Sequence, residues 1–124
     1  MFTHCFLGTN DPARAEAFYD AVMGALGHAR APVPGVLVYP TDAGALVVGK
    51  PANGQPHVAA NGFTLGFAAK SYAEVDAFHA AGLAHGGTCE GAPGHRAKAP
   101  GNAYGAYLVD PDGNKICAFA PNVG

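Results

Sequence analysis

The chain has 124 residues, of which 49% are hydrophobic and only 13% charged, with a formal net charge of −2. That length fits one domain with a real core, and that balance excludes a disordered chain and argues against nucleic acid as a partner. The 18 Gly and 10 Pro require many turns, which argues against a helical bundle. No apolar run reaches the ~20 residues that span a bilayer, so no membrane segment is expected. Three cysteines, an odd number, make no disulfide framework. With no basic flank and no small-residue cleavage pattern at the start, the expected setting is cytoplasmic, with free thiols.

In chain order, residues 2–9 read as a first strand. Asp11 is a good helix N-cap and Pro12 suits the first helical position, where its missing N–H costs nothing. Ala15, Phe18, Val22 and Leu26 recur at helical spacing, and Gly27 is a natural stop. Pro32 and Pro34 block a central strand. Residues 35–39 and 45–49 read as short strands around a turn. Residues 51–61, with two Pro, two Asn and a Gly, read as a linker. A strand over 62–68 alternates Phe63, Leu65 and Phe67 with Thr64, Gly66 and Ala68. Ser71 and Glu74 form a capping box, after which Val75, Phe78 and Ala81 mark a second helix. Gly86 and Gly87 end it, a short strand is expected at 88–90, and residues 91–102 read as a loop. The stretch YLVDPDGNKICAF, residues 107–119, is strand, tight turn, strand: Pro presets φ, Gly accepts positive φ, and Asp and Asn bond back to nearby amides.

The second half repeats the first. Shifted by 60, Asp11 lands on Ser71, Phe18 on Phe78, Gly27 on Gly87 and His4 on Thr64. Shifted by 69, Gly44 lands on Gly113 and Val48 on Cys117. Two modules, residues 1–50 and 62–124, are therefore expected around the linker. By strand alternation His4, Phe6, Thr64, Cys117 and Phe119 all lie opposite the helices, facing one common side. Tyr104 and Tyr107 differ by an odd number of positions, so one of them shares the face of Cys117.

Two stretches together, HCFLGTNDPARAEAFYDAV at residues 4–22 and the Asp110–Asn114 turn hairpin, resemble the vicinal oxygen chelate superfamily. That is the family of glyoxalase I, bleomycin-resistance proteins and extradiol dioxygenases. The resemblance implies an α+β fold of two βαβββ modules forming an open, mostly antiparallel curved sheet. It further implies a homodimer and a concave cleft for a small molecule. Family members commonly hold a divalent metal there with His or Glu from the first and last strand of each module. The matching positions here are His4, Val48, Thr64 and Cys117. Only His4 keeps the usual donor, so the expected Zn, Ni, Mn or Fe site is incomplete: two good ligands, His4 and Cys117, where a catalytic zinc wants three. Two functions follow. One is a small-molecule binder lined by His4, Phe6, Thr64, Tyr104, Tyr107, Cys117 and Phe119. The other is a metal-dependent lyase or dioxygenase with a site remodelled on His4 and Cys117. His95, Arg96 and Lys98 lie where family members often cover the cleft, and read as an anion-binding lid or as a solvated loop.

Overall fold

A computed structural model describes residues 1–123. Its elements run β1 (His4–Gly8), α1 (Pro12–Ala25), β2 (Leu37–Thr41), β3 (Gly44–Gly49), β4 (Leu65–Ala68), α2 (Tyr72–Ala84), β5 (Thr88–His95), β6 (Tyr104–Val109) and β7 (Lys115–Ala120), with a 3₁₀ turn at Pro100–Asn102. The strands form two sheets, ordered β1-β3-β2 and β4-β7-β6-β5. β1 pairs parallel with β3 and β4 parallel with β7, while the other pairs are antiparallel. This is an α+β fold, and no helix among the described residues is long and apolar enough to cross a membrane.

The helices start and stop for local reasons. The Asp11 carboxylate accepts from the Arg14 amide at 3.1 Å, and Ser71 Oγ accepts from the Glu74 amide at 3.2 Å. Gly27, at φ +86°, lets the His28 amide donate back to the Met23 carbonyl at 2.9 Å, closing α1. α1 buries Phe18, Tyr19, Val22 and Met23; α2 buries Val75, Phe78 and His79. These side chains meet Leu7, Leu46, Val48, Leu108 and Ile116 from the helix-facing sides of both sheets.

Three expectations need correction. Before β2, the first module has no full strand: Pro32 and Pro34 leave only a single bridge, the Ala31 amide donating to the Val38 carbonyl at 2.8 Å. In the second module the expected loop at 91–102 is strand as far as His95, with register shifts between Cys89 and Gly91 and between Gly91 and Gly94. Pro93 is tolerated because β5 is an edge strand. The third correction is to register. The Thr9 amide donates to the Gly49 carbonyl and the Ala69 amide to the Phe119 carbonyl, both at 2.9 Å. Thr9 therefore corresponds to Ala69, sixty positions on, but Gly49 corresponds to Phe119, seventy positions on. The match of Cys117 is Val47, not Val48, and a slip of one residue moves a side chain to the opposite face. Val48 is 1% exposed and belongs to the core.

The two sheets share no ladder. They are joined by helix packing and by the turn at residues 110–114. The buried Asp110 carboxylate accepts from Tyr19 Oη at 2.5 Å and from the Asn114 amide at 2.9 Å. Asp112 accepts from Thr9 Oγ1 at 2.5 Å and from Arg14 Nη2 at 2.9 Å. The Asn114 side chain donates to the Gly8 carbonyl at 3.0 Å, and its oxygen meets His57 Nε2 at 2.9 Å, pinning the linker.

Candidate functional site

Each sheet buries one side under the helices and leaves the other open. On the open side of the second sheet, register sets two rows of neighbours: Gly66, Cys117, Tyr107 and Gly91, then Ala68, Phe119, Gly105 and Gly94. In both rows glycines stand next to the larger side chains, which lean over them. A Cβ built on Gly105 would sit 2.4 Å from the Phe119 ring, and one on Gly66 3.2 Å from Cys117 Sγ. Tyr107 and Phe119 meet edge to face, with centroids 5.6 Å apart.

Two cations converge on Tyr107: Lys115 Nζ lies 5.0 Å and Arg96 Cζ 5.7 Å from the ring centroid. Arg96 is held in place by its own bonds. Its amide donates to the Ala103 carbonyl at 2.9 Å and its Nη2 to the Ala92 carbonyl at 2.6 Å. A Cβ on Gly91 would sit 2.9 Å from that same Nη2, so the glycine makes room for the guanidinium. Cys117 is 6% exposed, and burial pushes its thiol up to about 11, with Lys115 pulling the other way. It remains a neutral thiol at ordinary pH.

The open side of the first sheet carries His4, Ala45 and Pro40 in one row and Phe6, Val47 and Val38 in the next. It is apolar apart from His4, whose Nδ1 meets Thr3 Oγ1 at 2.9 Å in an exposed position. Phe6 is 48% exposed.

The sequence-predicted residues divide accordingly. Tyr107, Cys117 and Phe119 come together on the second sheet. His4 and Phe6 share the first. Thr64 precedes β4 and is exposed. Tyr104 points to the helix side, where its hydroxyl donates to Asp76 Oδ1 at 2.6 Å and its ring stacks on Tyr72 at 4.2 Å. Of the two tyrosines, Tyr107 alone shares the face of Cys117. Sequence reasoning missed Lys115 and the placement of Arg96 over Tyr107. It also missed the contact of His79 Nε2 with Cys89 Sγ at 3.1 Å on the helix side. Burial lowers the His79 imidazole below its ordinary value, with Asp76 opposing. Lys115 could have been found, since it has the parity of Cys117 and Phe119.

The family model of the glyoxalase/bleomycin resistance protein/dioxygenase superfamily matches residues 1–118. The chain belongs to this superfamily. It is 50% identical to a glyoxalase/bleomycin resistance protein from Albidiferax ferrireducens T118, with TM-score 0.91, covering 96% of this chain and 98% of that one. At 19% identity, a glyoxalase/bleomycin resistance protein/dioxygenase family enzyme from Burkholderia phytofirmans PsJN shares the fold, with TM-score 0.73 over 97% of this chain and 98% of that one. A lactoylglutathione lyase from Agrobacterium tumefaciens, 24% identical, also shares the fold, with TM-score 0.65 over 97% and 92%. No curated protein is similar enough to match.

The described residues of this chain supply no complete donor set for the metal that superfamily members commonly hold. Among the described residues no group of three His, Cys, Asp or Glu could hold an ion. The open-side positions paired with His4 and with Cys117 on the parallel strands are Ala45 and Gly66, which bring no donor. Val47, the true counterpart of Cys117, brings none either.

Proposed function

We propose that this superfamily member binds a small molecule on the open side of the β4-β7-β6-β5 sheet, without a metal, as a homodimer in the cytoplasm. The observation that carries this reading is the platform of Tyr107, Phe119 and Cys117 over glycine-lined strands. It is a largely apolar surface, its two rings edge to face, with two polar groups at its margin, the composition of a small-molecule site. One sheet makes one wall. The second wall comes from a second copy, whose first sheet offers the apolar row of Phe6, Val47 and Val38. The three free cysteines suit a reducing compartment.

Thermal-shift measurements with flat organic ligands, paired with elemental analysis of protein purified without added metal, test this. Stabilisation by such ligands in metal-free protein is expected, because a ligand that binds only the native state raises its melting temperature. Metal retained at one ion per chain, or taken up with a comparable rise in melting temperature, would transfer the chain to the metal-dependent lyase or dioxygenase reading.

A further inference from the structure

We propose that the ligand of this face is a planar carboxylate, its flat body against one ring of the Tyr107–Phe119 edge-to-face pair and its carboxylate on Arg96 and Lys115. The inference rests on the small-molecule reading above and names the chemistry of what is bound.

The three arginines are used differently. Arg14 is paired with Asp112 at 2.9 Å, and Arg30 with Asp20 at 2.9 Å and Glu16 at 3.2 Å. Arg96, the third arginine of the chain, is in no ion pair among the described residues, and neither is Lys115. Both instead lie within 6 Å of the centroid of one aromatic ring on the open side. The chain as a whole carries −2, so this local positive charge is not a general background. Cation–π attraction holds each beside Tyr107, so an anion at this ring would meet two positive groups with no carboxylate to displace.

The remaining features favour a carboxylate on a flat body. The Arg96 guanidinium is preorganised by the bond its Nη2 donates to the Ala92 carbonyl, so less rotamer freedom is lost on binding. A guanidinium fork matches the two oxygens of a carboxylate. Cys117, beside Tyr107 in the same row, stays uncharged and does not repel an anion. Phe119 covers Gly105 and meets Tyr107 at 79°, so the two rings form an aromatic corner. Such a corner takes a planar body by stacking on one ring and meeting the other edge to face.

The test is a nuclear magnetic resonance titration of ¹⁵N-labelled protein with 2-naphthoate and with its neutral isostere 2-naphthamide. Wild type is compared with Arg96→Gln, Lys115→Gln and the double variant. Naphthoate is expected to shift the amides of Gly91, Gly105, Tyr107 and Phe119 and to bind at least tenfold more tightly than naphthamide at low salt. The preference should shrink in each single variant and vanish in the double variant. The Lys115→Gln protein alone decides the matter should Arg96→Gln loosen the 96–103 segment. Equal affinities in wild type, with shifts on this face, would overturn the carboxylate assignment and leave the small-molecule reading standing. Absence of shifts on this face from either probe would overturn both. A preference for naphthoate that survives in the double variant would place the anion elsewhere.

Discussion

Cys117 shows how burial decides chemistry at a single residue. Its ordinary value near 9 rises to about 11 because the thiolate would lose water under the aromatic rows, and the nearby Lys115 does not compensate. At pH 8 the thiolate, the reacting species, is therefore scarce at Cys117, while Cys89 is exposed on the edge strand. Iodoacetamide labelling at pH 8, read by peptide mass mapping, should modify Cys89 at least tenfold faster than Cys117; equal rates would contradict this burial. The linkage has a definite sign. Between pH 9 and 11 the unfolded chain gives up this proton and the folded chain keeps it, so stability falls as pH rises through that window. Replacing Cys117 by Ala should flatten that decline in urea unfolding. The residue's face was legible in advance, because β7 alternates cleanly. Its partner was not: the loops between the modules' strands differ by ten residues rather than nine, and that single position sends Val48 to the core.

At the scale of elements, the caps and the Asp110–Asn114 turn were legible because their chemistry is local. β5 was not, because its bulges at Gly91 and Gly94 break the alternation by which a strand is recognised. That irregularity also hid the direction of Arg96. The contact of His79 with Cys89 was hidden too, since it depends on how the turn after α2 brings the chain back. Helix glycines illustrate the same division between local and tertiary causes. Gly24 in α1 and Gly82 in α2 should each stabilise by about 0.5–1 kcal/mol on replacement with Ala, by propensity alone. A Cβ at Gly24 meets nothing within 4 Å, whereas one at Gly82 would lie 2.3 Å from Leu108 Cδ1. Leu108 is fully buried and has little room to move. Gly24→Ala is thus expected to raise stability, and Gly82→Ala to lower it by about 1–3 kcal/mol through overpacking. Equilibrium urea unfolding of the two variants checks the opposite signs; stabilisation by both would mean that α2 stands further from β6 than described.

The molecule as a whole is two sheets held together without a shared ladder, so its unity rests on α1 against α2 and on the turn that reaches from the second module into the first. Removing the Asp110 carboxylate leaves Tyr19 Oη and the Asn114 side chain without their buried acceptor, which should cost about 3 kcal/mol. Because Tyr19 belongs to α1, hydrogen exchange in Asp110→Ala should accelerate in β3 and β7 alike; protection lost in β7 alone would mean that the modules are energetically separate. The same architecture leaves an apolar row, Phe6, Val47 and Val38, uncovered on the first sheet. A dimer that lays this row opposite a partner's aromatic platform would bury Phe6 and wall the ligand surface. Sedimentation should then give twice the 12.5 kDa chain mass. Phe6→Glu places a charge in that interface without touching the core, since Phe6 lies opposite the helix-facing side, and the cost of an unpaired buried charge falls on association alone. The variant should sediment at 12.5 kDa with an unchanged circular dichroism spectrum. It should also lose ligand-induced thermal stabilisation, because half the wall is gone. A Phe6→Glu protein that remains dimeric would place the interface elsewhere, and a wild type that sediments as a monomer yet binds ligand fully would show that one sheet suffices.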